Sequence, residues 1–344
     1  MMQPFFFAAV GLAHGHIYAM CRGLSDAGAE IKYVYDADEA LVAQFRKSFP
    51  QAEAAKSEEQ ILRDPSVRLV ASADIPSRRC ALAIRAMEAG KHFFVAKAPV
   101  VSFRQLDAVR RAVRRTGKKY FVFYSERLAS EAALYAEEAI GRGEIGKVLN
   151  VTILAPHKLG GGRPDWFFRR KDTGGILIDI GSHQFEQFLT FTGNRRAKIA
   201  ASSAGNFAHT QHPGFDDFGE AYLRGENGAT GYIRADWFTP EDFPVFGDGR
   251  VVITGTGGTI ELRKYIDVGG SDLPETVILE TEGRTEKFTV KGKVEKPFFR
   301  NLLSDCIRGT DTAQPTDRAF YAMHLALTAQ KRAKRLTPPR LTHR

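Results

Sequence analysis

A carboxylate, an imidazole and an amine are the side chains of this sequence best placed to do chemistry together. Downstream of Gly174-Gly175, Asp179 precedes His183 by four residues, so on a helix the two share one face. Far upstream, the apolar run Phe93-Phe94-Val95-Ala96 leads into a lone lysine, Lys97, followed by Ala98-Pro99. Brought to one pocket, these three groups could move a proton. An Asp and a His one turn apart also occur as a structural pair, and a lone lysine after a strand also occurs as a solvent-facing loop residue. The surrounding elements decide between these readings.

Those elements alternate over the first 120 or so residues. Strands are predicted at 5–10, 31–35, 69–72, 92–96 and 120–124, and helices at 16–27, 37–49, 58–63, 77–89 and 103–116. Apolar strands spaced by amphipathic helices argue for a doubly wound parallel sheet of the α/β class. After a helix at 130–140 the pattern changes to strands in series, at 147–155, 218–224, 228–238, 250–262, 276–280 and 286–290. Helices at 177–192, 297–308 and 317–335 interrupt or follow them. The expectation is a Rossmann domain over residues 1–125 and an α+β domain with an open, mostly antiparallel sheet over 126–344.

The first strand runs into Gly11-Leu12-Ala13-His14-Gly15-His16 and then a helix. A dinucleotide-binding turn carries G-x-G-x-x-G there; this chain keeps the first glycine and replaces the second and third by Ala13 and His16, with Gly15 between. The second strand ends at Asp36, 25 residues after Gly11, near the spacing of the acidic residue that binds ribose hydroxyls. A carboxylate at that place repels a 2′-phosphate, and no arginine follows in Ala37-Asp38-Glu39, so NAD is expected over NADP. Ala73, Asp74 and Ile75 follow the next strand, and Ala96 and Lys97 the one after; these loops complete a cleft at the strand C-termini.

Together, the turn at 11–16, Asp36, the run 81–95 leading to Lys97, and Gly174-Gly175 with Asp179 and His183 resemble the Gfo/Idh/MocA family, the glucose–fructose oxidoreductase and inositol dehydrogenase group. The resemblance covers nearly the whole chain. It implies hydride transfer between a nicotinamide cofactor and a hydroxyl carbon of a sugar, cyclitol or related small molecule. By the same resemblance His183 is the acid/base, Asp179 holds His183 or the substrate hydroxyl, and Lys97 donates a hydrogen bond to the reacting oxygen. It also implies a homodimer or homotetramer built through the second domain's sheet. Where the family usually reads Glu-Lys-Pro, this chain reads Ala96-Lys97-Ala98-Pro99. Some family relatives are silent regulators that bind dinucleotide and sugar, and a hydrolase or lyase using retained NAD is a further alternative.

Substrate contacts are expected from the glycine-rich, aromatic and basic segment 157–170, with His157, Arg163 and Trp166, and from Tyr124 and Arg127 after the last parallel strand. His209, His212, Asp216 and Asp217 form no metal-ligand pattern, because Pro213-Gly214 breaks any ligand-bearing helix. The net charge of +9 collects at Arg110-Arg111, Arg114-Arg115 and a tail at 331–335. No nucleic-acid-binding motif accompanies it, so a solvated helix face and a frayed C-terminus are expected, without nucleic acid as a partner. Three scattered cysteines exclude a disulfide framework and suit a reducing cytoplasm. No segment is long and apolar enough to span a membrane, and the apolar run at 5–10 reads as a buried strand.

Overall fold

Apolar runs that alternate with amphipathic helices fold here as a parallel sheet, because helices on both faces are needed to bury them. The computed structural model describes residues 4–270 and 273–337. Its first elements are β1 (Phe5–Val10), α1 (His16–Asp26), β2 (Ala29–Tyr35), α2 (Glu39–Ser48), β3 (Glu53–Ala54), α3 (Glu58–Arg63), β4 (Val67–Ser72), α4 (Pro76–Glu88), β5 (His92–Ala96), α5 (Phe103–Thr116) and β6 (Tyr120–Phe123). All of these strands pair in parallel, in the order β3-β2-β1-β4-β5-β6. The chain winds one way from β1 and the other way from β4, so their C-terminal ends form the switch point where such sheets bind ligands. Helix ends follow local chemistry: Ser102 Oγ accepts from the Gln105 N–H to open α5, and left-handed Gly117 closes it.

The later elements are α6 (Ser125–Leu128), α7 (Glu131–Gly141), β7 (Val148–Pro156), a 3-10 turn at Asp165–Phe168, α8 (Arg170–Thr173), α9 (Ile176–Asp179), α10 (Gly181–Thr192), β8 (Ala197–Gly205), β9 (Phe218–Gly225), β10 (Thr230–Asp236), β11 (Arg250–Gly255), β12 (Gly258–Arg263), β13 (Thr276–Thr281), β14 (Arg284–Thr289), α11 (Phe298–Arg308), α12 (Thr316–Arg332) and β15 (Lys334–Leu336). Among the described residues they build a mixed, mostly antiparallel sheet in the order β14-β13-β12-β11-β7-β10-β9-β8-β15. β7 and β10 run parallel at its centre. Period-two alternation sends Val151, Ile153, Ala221, Leu223, Ile233, Val251 and Ile253 into the core, where α10 packs over β7 and β10. Leu149 and Tyr222 are left about half exposed on the sheet.

The chain divides into two compact units, one formed by residues up to Phe123 with Pro297–Phe320, the other by Tyr124–Lys296 with the chain from Tyr321 onward. In the first, Phe298 of α11 packs on Phe94 and Phe123. Four local expectations are corrected. The helix expected over 177–192 is two, with Ile180 between α9 and α10. The strand expected over 250–262 is the β11–β12 hairpin. β8 went unread because Ala197–Gly205 is rich in alanine and serine, and pairing with β9 holds it in place. The basic tail is not frayed over its described part: Lys334, Arg335 and Leu336 pair with β8, and Arg335 bonds buried Asp216. The other basic run does lie on an exposed helix face, with Arg111, Arg114 and Arg115 at the surface of α5.

Candidate active site

In the first unit the turn after β1 is fixed by Gly11. Its φ is +77°, and a Cβ there would stand 2.5 Å from Asp74 Cβ, so any other residue would be both strained and crowded. The Gly11 N–H donates to Tyr35 O at 3.0 Å, Ala73 N–H donates to Gly11 O at 3.0 Å, and His14 N–H donates to Ala73 O at 2.9 Å. Three strand ends are thereby laced together. Asp36 secures the same turn: Oδ2 accepts from Leu12 N–H at 2.7 Å and Oδ1 from Asp38 N–H at 2.9 Å. An ionised carboxylate keeps further lone pairs for a ligand.

α1 begins without a side-chain cap at Gly15. His14 satisfies its first donors instead, its Nδ1 accepting from His16 N–H at 3.1 Å and its carbonyl from Ile17 N–H at 3.2 Å. The space a Cβ would take at Gly15 is open, and Ala13 beside it is only half-buried. The uncrowded start of α1 beside an acidic strand end at a switch point leaves room for a dinucleotide. Asp74 lines this end; burial raises its carboxyl pKa, against the Ile75 N–H and the charges of Arg78 and Arg79.

Lys97 is buried, and the Lys97–Ala98 peptide is cis. Arg79 holds this loop. The arginine is fully buried, and its Nη1 donates to the carbonyls of Ala96 (2.9 Å), Lys97 (2.6 Å) and Ala98 (2.9 Å), while Nε donates to Asp74 O at 2.6 Å. One guanidinium thus ties the loop after β4 to the loop after β5. Sequence reading passed over Arg79. The available signal was its place on the buried stripe of α4 with Ala83 and Ala86, where an arginine needs internal acceptors.

In the second unit Gly174 and Gly175 take φ of +86° and +105°. A Cβ on Gly175 would meet Gln330 at 2.6 Å and Asp216 at 2.8 Å. Gln330 Oε1 in turn accepts from Leu177 N–H at 3.0 Å, so this glycine turn sets the start of α9 and the position of Asp179 at its end. Asp179 is 9% and His183 3% exposed. The ring of Tyr124 lies 6.0 Å from that of His183, edge to face.

Arg163 stacks in an aromatic box formed by Phe167 (4.6 Å), Trp237 (5.6 Å) and Phe246 (6.0 Å). Burial lowers its pKa, and the negative charges of Asp179 and Glu241 oppose that. His157 packs its ring against Trp237 and Phe246. Trp237 and Phe246 escaped the sequence reading because they come from a distant segment. Trp166 is half-buried against Phe167. Arg127 forms a buried pair with Glu186 at 2.5 Å and bonds Glu137 at 2.8 Å.

So Tyr124, His157, Arg163, Asp179 and His183 gather in one unit. Gly11, Ala13, His14, Gly15, His16, Asp36, Ala73, Asp74, Ile75, Ala96 and Lys97 gather at the strand ends of the other. Among the described residues no cluster of His, Cys, Asp or Glu could hold a metal. His209 bonds Asp217 at 3.0 Å, His212 stacks on Phe168, and Asp216 bonds Arg170 at 2.6 Å. The three cysteines are free and buried, and burial pushes the Cys306 thiol up to about 12, which makes it inert.

A doubly wound parallel sheet followed along the chain by an open α+β sheet is an architecture that suits a dinucleotide-dependent oxidoreductase. Residues 7–124 match the oxidoreductase family's NAD-binding Rossmann fold, and residues 133–261 match the GFO/IDH/MocA C-terminal domain. The chain belongs to the GFO/IDH/MocA family of NAD(P)-dependent oxidoreductases. Among solved structures, one from Erwinia carotovora atroseptica SCRI1043 assigned as an oxidoreductase is 46% identical, with a TM-score of 0.95, over 97% of this chain and 100% of that one. The scyllo-inositol 2-dehydrogenase (NAD(+)) of Bacillus subtilis is 26% identical over 74% of this chain and 72% of its own length. The levoglucosan dehydrogenase of Pseudarthrobacter phenanthrenivorans is 27% identical over 50% of this chain and 45% of its own length. Among the described residues no helix is long and apolar enough to cross a membrane.

Proposed function

We propose that the chain is an NAD-dependent dehydrogenase that moves a hydride between the cofactor and a hydroxyl carbon of a sugar, cyclitol or sugar acid. The observation that carries this reading is the buried Asp179–His183 segment, set by its glycine turn beside Tyr124 and Arg163. Bound NAD supplies the hydride acceptor. His183 takes the hydroxyl proton as the carbon gives up its hydride, Asp179 orients His183 or the hydroxyl, and Lys97 donates a hydrogen bond to the oxygen as it becomes a carbonyl. The turn at 11–16 holds pyrophosphate, Asp36 takes the ribose hydroxyls, and Ala73, Asp74, Ile75 and Ala96 line the nucleotide cleft. Asp36 disfavours a 2′-phosphate, hence NAD over NADP.

Tyr124, His157, Arg163 and Trp166 contact the polyhydroxylated substrate, which agrees with the scyllo-inositol and levoglucosan activities named for two relatives. In this reading residues 1–125 are the cofactor domain, which also supplies Lys97 and Tyr124 to the substrate, and residues 126–344 are the substrate domain. The exposed sheet residues Leu149 and Tyr222 support a homodimer or homotetramer through that sheet. The free buried cysteines support a cytoplasmic site of action.

The test incubates purified protein and NAD with a panel of inositols, sugars and sugar acids. NADH formed in step with oxidised product is expected. Product without net NADH, from tightly retained cofactor, would make it a hydrolase or lyase; binding without chemistry would make it a regulator.

A further inference from the structure

Behind His183 lies a buried charged cluster that the proposed chemistry has not used. Lys264, just after β12, is fully enclosed, and its Nζ donates to Glu126 Oε2 at 2.8 Å. The same oxygen of Glu126 accepts from Gln184 Nε2 at 2.8 Å. Lys264 Nζ also reaches Gln187 Oε1 at 3.4 Å, while Gln187 Nε2 donates to the carbonyl of His183 at 3.3 Å. The ion pair therefore grips the turn of α10 that carries His183, through the residue after it and the residue one turn on.

The second oxygen of Glu126 is buried and accepts no hydrogen bond among the described residues. It faces His157 Nε2 at 3.7 Å. His157 Nδ1 lies 3.0 Å from Ala155 O, to which it must donate, so only a protonated ring presents an N–H to Glu126. Burial alone would raise the Glu126 carboxyl pKa, but the charges of Lys264, His183 and His157 hold it well below the usual carboxylate range.

A buried ion pair is weak evidence for stability, since desolvating two charges offsets much of their attraction. A fixed anion beside a proton-transfer group has a clearer use. We propose that Glu126 is a positioning residue for His183: pinned by Lys264, its carboxylate orients that turn of α10 and favours the imidazolium formed when the hydroxyl proton is taken. The inference rests on the dehydrogenase reading of His183. Groups facing Glu126 are Lys264 and Tyr265 after β12, His157 at the end of β7, and His183, Gln184 and Gln187 on α10. Tyr124 packs edge to face on His183 itself, and Arg163 adds its positive charge beside Asp179.

The test is a histidine NMR titration of the full chain, with the His183 resonance identified by its loss in His183→Asn. Glu126→Gln should lower the His183 midpoint by about one pH unit, since an adjacent anion has been removed. Glu126→Asp, which keeps the charge, should stay near the wild-type midpoint. Lys264→Met, which keeps the carboxylate and removes its cation, should raise it. This opposite shift still reads the coupling if Glu126→Gln does not fold. An unchanged midpoint in folded Glu126→Gln or folded Lys264→Met overturns the inference, whatever the substrate. The dehydrogenase reading fails on a different result, full turnover by His183→Ala, which no midpoint reports.

Discussion

Asp36 carries two tasks on one carboxylate. It ties the turn after β1 through Leu12 and Asp38, and under the proposed function it sets a negative charge against the cofactor ribose. Asn at this position keeps an acceptor and removes the charge. Asp36→Asn should therefore improve kcat/KM with NADP relative to NAD by about tenfold, the scale of one or two kcal/mol of relieved repulsion. An unchanged ratio would remove Asp36 from cofactor selection. The sequence made the places of these candidates legible through type and spacing: Gly11 and Asp36 at two strand ends, Lys97 after a third, and Asp179 four residues before His183. Glu126, Lys264 and Trp237 were not, because each matters only through partners from remote segments.

At the scale of elements, the loop after β5 depends on the helix before it. The planar guanidinium of Arg79 spans three carbonyls of the Lys97 loop and reaches Asp74 as well; a lysine ammonium does not have that fork. Arg79→Lys should displace Lys97 and lower kcat about 10- to 100-fold, the scale of a misplacement near 1 Å, and, because the same guanidinium holds the Asp74 and Ala96 carbonyls, raise the dissociation constant for NAD as well. Kinetics beside NAD titration check this, and an unchanged kcat would show that the clamp does not set Lys97. The alternation of strand and helix made the parallel sheet readable, since both signals are local. The alanine-rich β8 and the C-terminal β15 were not readable, because strand pairing decides them and hydropathy does not report it, and hydropathy likewise gives no sign of the break at Ile180.

For the whole molecule, acid stability divides into two windows. His92 opens β5 with Nδ1 accepting from Lys119 N–H at 3.0 Å. Burial first, then the charges of Lys118, Arg68 and Lys119, push it down to about 4. A neutral buried histidine stabilises the fold above its unfolded pKa near 6.5, and that contribution is lost as pH falls towards the folded value. Wild type should lose on the order of 2–3 kcal/mol between those limits, and His92→Asn, which keeps an acceptor, should lose less in urea unfolding at pH 7 and 5. An identical slope in both would remove His92 from the effect. Asp305 falls in the lower window. Burial works to raise its carboxyl, but bonds from Ala313 N–H, the Thr310 hydroxyl and Thr312 hold it low, so its contribution is present above about pH 4 and lost below. The dehydrogenase reading itself is tested most directly by comparing Lys97→Ala and His183→Ala with wild type on the best substrate of the panel. Both should keep NAD binding and lose turnover, His183→Ala by about 10³-fold, as expected for a general base. Undiminished NADH formation by either variant would contradict it.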